Sequence, residues 1–259
     1  MKITQGKSAN VYQLKALKDN YLYVIEHKGN TLIVDPTTPG IYPEWAQKQN
    51  WSLHGILNTH HHYDHVGGNQ EAQKSGDFPT FGSQYDYENK RIPGQTRGLQ
   101  DKDTFSLIDL EFQVLDVAAH TLGHIAYWLP QENWVFVGDA LFSLGCGRLF
   151  EGNAEHLKKA MDKIMALPDD TLIFCAHEYT QSNLAFHQNQ FPDDPLLKEL
   201  TEAIKKRWDE EQTTIPTSVF FEKRFNAFLR WNDPYCQDTI QGTTPVTYLK
   251  ELRNRKDLF

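Results

Sequence analysis

The stretch Asn58-Thr59-His60-His61-His62-Tyr63-Asp64-His65-Val66-Gly67-Gly68 sets four imidazoles and a carboxylate within six residues, directly after the apolar run Gly55-Ile56-Leu57. Imidazole nitrogen and carboxylate oxygen are the donors that zinc, iron and manganese share. In an extended or turning backbone alternate side chains point the same way, so His60 and His62 are expected to face one metal ion. Asp64 and His65, beyond the turn, then face a second point nearby, and His61 points elsewhere. Gly67 and Gly68 are read as the residues that let the chain turn tightly into a following helix. A lone histidine is most often a packed or surface residue, and a histidine tag or metal-scavenging tract sits at a terminus. Neither reading fits a cluster bracketed by a strand and a Gly pair.

The same strand-end placement recurs downstream. His120 lies in Ala119-His120-Thr121-Leu122-Gly123-His124, Asp139 ends Trp134-Val135-Phe136-Val137-Gly138-Asp139, and His177 ends Leu172-Ile173-Phe174-Cys175-Ala176-His177. A layered α/β fold gathers strand ends along one sheet edge. Singly, each of these three is as readily a structural residue; together with His60, His62, Asp64 and His65 they make seven donors, enough for two metal ions.

Short strand-like runs (20–25, 31–35, 55–58, 111–116, 125–129, 134–138 and 171–175) alternate with turns and helical patterns up to about residue 179. Leu157, Met161, Ile164 and Met165 recur at helical spacing over 153–167, and Pro168 stops the run. Beyond 179 the pattern turns helical. Asp194-Pro195 reads as a cap and first turn before Leu196, Leu197, Leu200, Ile204 and Trp208, and Thr244-Pro245 repeats the device before Val246, Leu249 and Leu252. A weaker strand signal covers 217–221. The expected division is therefore 1–178, mixed α/β, and 179–259, mostly helical.

Composition bounds the rest. With 26 Lys+Arg against 34 Asp+Glu the formal net charge is −8 over 259 residues, which argues against a general nucleic-acid binder. Mean hydropathy is −0.59 and no apolar run approaches a membrane span, so no membrane partner is expected. The start, Met1-Lys2-Ile3-Thr4-Gln5, carries no apolar leader, and three scattered cysteines do not make a disulfide framework; a cytoplasmic monomer is expected.

Thr59-His60-His61-His62-Tyr63-Asp64-His65 meets the T-H-x-H-x-D-H signature, and the chain thereby resembles the metallo-β-lactamase superfamily, with His120, Asp139 and His177 in matching order. More closely it is similar to glyoxalase II, the hydroxyacylglutathione hydrolases. The segments that carry this are Gly138-Asp139-Ala140-Leu141-Phe142, Gly145-Cys146-Gly147-Arg148-Leu149-Phe150-Glu151-Gly152, Cys175-Ala176-His177-Glu178-Tyr179-Thr180 and the end from Leu252 to Phe259. The resemblance implies a four-layer αβ/βα sandwich followed by a small helical domain. It also implies two metal ions per chain, one on His60, His62 and His120, the other on Asp64, His65 and His177, with Asp139 bridging. Zinc is the first choice, iron and manganese the alternatives. Glutathione is held, on the same resemblance, by Arg148, Tyr179, Arg253 and Lys256. The last two stand three apart and share a helix face.

The implied reaction is hydrolysis of an S-(2-hydroxyacyl)glutathione thioester, chiefly S-D-lactoylglutathione, by a hydroxide held between the metals and oriented by Asp64. No Ser or Cys nucleophile is required, so Cys146 and Cys175 read as structural. Arg148 and Phe150 stand where some members carry Lys and Tyr, and the missing hydroxyl at 150 removes one possible bond to glutathione. The rival on the same fold is a glutathione persulfide dioxygenase with one iron on His60, His120 and Asp139. A β-lactamase, a nucleic-acid hydrolase and a protein whose metals only hold its fold fit less well. Structural zinc sites in particular favour cysteine.

Overall fold

A computed structural model describes residues 1–259. The chain forms two compact units, Met1–Asp116 with Leu122–Gly138, and Val117–Thr121 with Asp139–Phe259.

In the first unit, β1 (Lys2–Gln5), β2 (Asn10–Ala16), β3 (Asn20–His27) and β4 (Asn30–Val34) pair antiparallel, and β5 (Ser52–Leu57), β6 (Thr80–Ser83) and β7 (Arg97–Leu99) continue the sheet in parallel. Every residue of β3 is buried, which is why its sequence runs apolar without alternation: both faces are covered. The β3–β4 turn has positive φ at Lys28 (52°) and Gly29 (81°), the backbone hand that matches strand twist in a two-residue hairpin. Helix α1 (Ile41–Gln47) makes the crossover that parallel pairing of β4 and β5 requires. Three short helices follow: α2 (Tyr63–Val66), α3 (Asn69–Ala72) and α4 (Gln84–Glu88).

An antiparallel meander completes this unit: β8 (Thr104–Leu107), β9 (Leu110–Asp116), β10 (Ile125–Leu129) and β11 (Trp134–Gly138). Its apolar face meets the first sheet. Phe105 stacks on Phe81 at 4.7 Å and on Phe112 at 5.1 Å, and Tyr23 sets its edge to Phe136 at 5.6 Å. Each such side chain, fully buried, contributes roughly 1.5–3 kcal/mol. Because β4 and β5 run parallel, their carboxyl ends lie side by side, with Asp35 N donating to Leu57 O at 3.1 Å.

The second unit holds the hairpin β12 (Leu141–Phe142) and β13 (Gly145–Cys146), the pair β14 (Leu172–Cys175) and β15 (Thr217–Ser218), and six helices. These are α5 (Ala154–Met165), α6 (Thr180–Gln190), α7 (Leu197–Glu211), α8 (Val219–Phe225), α9 (Pro234–Ile240) and α10 (Pro245–Leu258). Asn153 caps α5, accepting from Glu155 N and His156 N at 3.0 Å, and His156 Nδ1 accepts in return from Asn153 N at 3.3 Å. Thr244 and Pro245 open α10, and Leu249 and Leu252 are buried.

Two expectations fail here. Residues 217–221 are strand only at Thr217–Ser218; Ser218 Oγ then accepts from Phe221 N at 3.2 Å and caps α8, which carries the aromatic pair Phe220-Phe221. The Asp194-Pro195 device does not start α7, which begins at Leu197. The Asp194 carboxylate accepts from Leu196 N at 3.0 Å, just before that start, and also meets His187 (2.9 Å) and Arg230. No helix is long and apolar enough to cross a membrane.

Candidate metal centre

In the first unit the donors follow β5. His60 and His65 are fully buried; His62 and Asp64 are partly exposed. Gly67 and Gly68 serve a purpose other than the turn expected of them. A Cβ at Gly67 would lie 2.6 Å from Thr37 O, and one at Gly68 2.6 Å from Pro36 O, so the pair lets α2 and α3 press against the chain after β4.

Hydrogen bonds fix the tautomers. Thr59 Oγ1 donates to Asp35 Oδ2 at 2.7 Å and so accepts from His60 Nδ1 at 3.1 Å, leaving the His60 lone pair on Nε2. His65 Nδ1 donates to Asp35 Oδ2 at 2.9 Å, with the same result. His60 Nε2 then lies 3.1 Å from His62 Nδ1, and His65 Nε2 lies 3.7 Å from Asp64 Oδ2. Asp64 Oδ2 also accepts from Asn20 Nδ2 at 3.0 Å. His61 points away, as expected, with Nε2 2.5 Å from Arg91 Nη2 and Nδ1 3.8 Å from buried Asp86.

In the second unit His120, Asp139 and His177 are buried together. His120 Nδ1 donates to the Arg148 carbonyl at 2.7 Å, so its lone pair also sits on Nε2. The two oxygens of Asp139 meet different imidazoles: Oδ2 is 3.5 Å from His120 Nε2, and Oδ1 is 3.4 Å from His177 Nε2. Tyr179 stacks on His177 at 4.7 Å and 10°, and Phe150 sets its edge to His120 at 5.1 Å. Imidazoles locked with Nδ1–H outward and Nε2 toward carboxylates are what a metal of the zinc or iron type needs from its ligands.

Of the three cations singled out in the sequence, all in the second unit, two meet at Asp257. Arg253 Nη2 is 3.0 Å and Arg148 Nε 3.6 Å from Asp257 Oδ1. Arg253 is buried, donates from Nη1 to Cys146 O at 2.9 Å and lies over the Phe228 ring. Lys256 Nζ lies 3.3 Å from Ser182 O and between the rings of Phe186 and Phe259. Burial, followed by repulsion from Arg253, pulls its pKa down to about 8.

Sequence reasoning missed Asp35 and Asn20. Asp35 ends the run 31–35 just as Asp139 and His177 end theirs, so the strand-end criterion applied once more would have found it. Asn20 opens β3 and carries no such mark.

Residues 19–177 match the family model described as Metallo-beta-lactamase superfamily, and the chain belongs to that superfamily. Residues 178–259 match the Hydroxyacylglutathione hydrolase C-terminus. The hydroxyacylglutathione hydrolase of Methylococcus capsulatus is 39% identical over 253 residues, covering 96% of this chain and 98% of its own. That of Trichodesmium erythraeum is 38% identical over 258 residues, covering 96% and 100%. Within the superfamily the chain is therefore a member of the hydroxyacylglutathione hydrolase family, a family of metallo-hydrolases.

Solved structures agree on the fold. A metallo-beta-lactamase from Staphylococcus aureus superposes with TM-score 0.68 at 19% identity, covering 96% of this chain and 72% of that one. ETHE1 from Myxococcus xanthus superposes with TM-score 0.64 at 22% identity, covering 95% and 98%. The expected metallo-β-lactamase fold with C-terminal helices is thus the fold of this chain, and its His/Asp sets are those of a metal-binding site.

Proposed function

We propose that this chain hydrolyses S-(2-hydroxyacyl)glutathione thioesters, chiefly S-D-lactoylglutathione to D-lactate and glutathione, as a step of methylglyoxal detoxification. The observation that carries the reading is likeness along nearly the whole length to relatives named hydroxyacylglutathione hydrolase, C-terminal segment included. The persulfide dioxygenase reading is not favoured, since those relatives are named as hydrolases.

In this reading His60, His62 and His120 would hold one metal ion, Asp64, His65 and His177 would hold the other, and Asp139 would serve both. The fixed Nδ1–H tautomers of His60, His65 and His120 support it, as does an Asp139 carboxylate that offers one oxygen to each of two imidazoles. Bound ions supply a water acidic enough to attack at neutral pH and positive charge for the thioester carbonyl oxygen. Zinc is the first choice, and the same donors serve iron or manganese.

The side chains do the rest. Asp64, steadied by Asn20, orients the attacking water by accepting its hydrogen bond. Arg148, Tyr179, Arg253 and Lys256 hold the glutathione moiety, so that residues 1–178 carry the hydrolytic chemistry and 179–259, joined by Arg148, the recognition. Cys146, Cys175 and Cys236 are buried free thiols, which suits a reducing cytoplasm; a monomer is the assembly expected.

One experiment tests the whole reading: metal analysis of the purified protein beside a panel of thioesters with and without the glutathione moiety. Two ions per chain, and turnover confined to the glutathione thioesters, are expected. Equal turnover of a thioester lacking glutathione, or none of either, would overturn it.

A further inference from the structure

The end of α10 carries a charge that its own helix does not favour. Asp257 stands one residue before the last of α10, Leu258, where the negative end of the macrodipole repels a carboxylate. Its i,i+4 partner Arg253 lies on the N-terminal side, the weaker order for such a pair. What holds Asp257 is tertiary. A single oxygen, Oδ1, sits 3.0 Å from Arg253 Nη2 and 3.6 Å from Arg148 Nε, and Arg148 comes from a distant part of the same unit.

Guanidinium groups are the side chains most suited to gripping a carboxylate, and two of them converge on this oxygen, one at hydrogen-bonding distance and one as a longer ion pair. Arg253 is well placed to be the fixed half of such a grip. It is buried, tied through Nη1 to Cys146 O at 2.9 Å, and its Nε has no hydrogen-bond partner. Arg148 and Asp257, by contrast, are 64% and 41% exposed, so both have room to move.

We infer that Asp257 is a resident stand-in for the substrate's carboxylate: it fills the anion seat between Arg148 and Arg253, and a carboxylate of the ligand binds by displacing it. The inference rests on the glutathione reading above and deepens it. Glutathione carries its carboxylates into the complex both as substrate and as product. An internal competitor therefore weakens both alike, which changes KM without raising kcat.

The test is steady-state kinetics of the metal-loaded Asp257→Asn protein with S-D-lactoylglutathione, with glutathione as product inhibitor. KM and the glutathione inhibition constant should fall together by about two- to fivefold at low salt, the worth of an exposed ion pair. Rising salt should close the gap, and kcat should not increase. Glu251→Gln is the control, because it removes a carboxylate of the same helix that pairs with Arg255 at 2.9 Å, outside the cluster. An unchanged or higher KM in Asp257→Asn, or an equal fall in Glu251→Gln, overturns the inference. Failure of the glutathione reading itself looks different: the wild-type protein would neither turn over the thioester nor be inhibited by glutathione.

Discussion

Asp35 contacts no expected ligand atom directly, yet it prepares two of the imidazoles. Oδ1 accepts from Thr59 N at 2.8 Å, while Oδ2 takes both the Thr59 hydroxyl and His65 Nδ1. The residue holds a left-handed φ of 51°, uncommon outside glycine, which the surrounding bonds must maintain. An amide in its place could present either oxygen or nitrogen to His65 and would no longer dictate the tautomer. Asp35→Asn should therefore weaken metal binding by about 10- to 100-fold, with activity restored by excess metal; chelator competition measures it, and unchanged affinity would show that Asp35 only braces the loop. Its place at a strand end could be read from the sequence, but its role could not, because the partners that reveal it lie 24 and 30 residues along the chain. The candidate donors could be picked out because four of them crowd one loop and the others repeat the strand-end position.

Helix starts divide along the same line between local and distant partners. Asn153 and Thr244 bond to backbone within three residues of themselves, so the sequence shows where α5 and α10 begin. Asp194 also bonds locally, accepting from Leu196 N at 3.0 Å just before α7, but it shares its carboxylate with Arg230, 36 residues away, which the sequence does not show. On α10, the expected pairing of Arg253 and Lys256 on one helix face was visible, whereas their burial was not. That burial has a consequence for pH. Lys256 is faced by Arg253, Arg148, Cys146, the Ser182 carbonyl and the rings of Phe186 and Phe259, and its pKa is pulled down to about 8. As pH climbs through that value the ammonium is lost, and with it one cation for an anionic thioester. KM for S-D-lactoylglutathione should rise between pH 7 and about 9 while kcat stays level. Lys256→Arg, charged throughout, should flatten the KM profile; a slope that persists in it assigns the titration to another group.

At the scale of the molecule, a net charge of −8 describes neither the surface that an anionic thioester is expected to meet nor the groups that keep the second unit folded in acid. Its interior holds an ionic network: Arg230 reaches Asp194 (Nη2 to Oδ1, 3.3 Å) and Asp233 (2.9 Å), and His187 Nε2 lies 2.9 Å from Asp194 Oδ2. Although burial opposes ionisation, the bonds from His187 and Arg230 prevail and hold the Asp194 carboxyl far below its ordinary value, and Asp233 is lowered too. The sign follows. A carboxyl whose folded pKa is depressed contributes its stability above the unfolded value, near 3.9 for Asp, and loses it as pH falls toward the folded one. Stability should thus decline steeply below about pH 4. Removing Asp194 leaves the buried Arg230 guanidinium with only the partly exposed Asp233 as counter-ion, so Asp194→Asn should cost about 3 kcal/mol at neutral pH. It should also shed Asp194's share of the acid slope. Denaturant titrations of both proteins at pH 7, 5, 4 and 3 measure the two effects together, and parallel curves displaced by less than about 1 kcal/mol would show that the network is screened rather than buried.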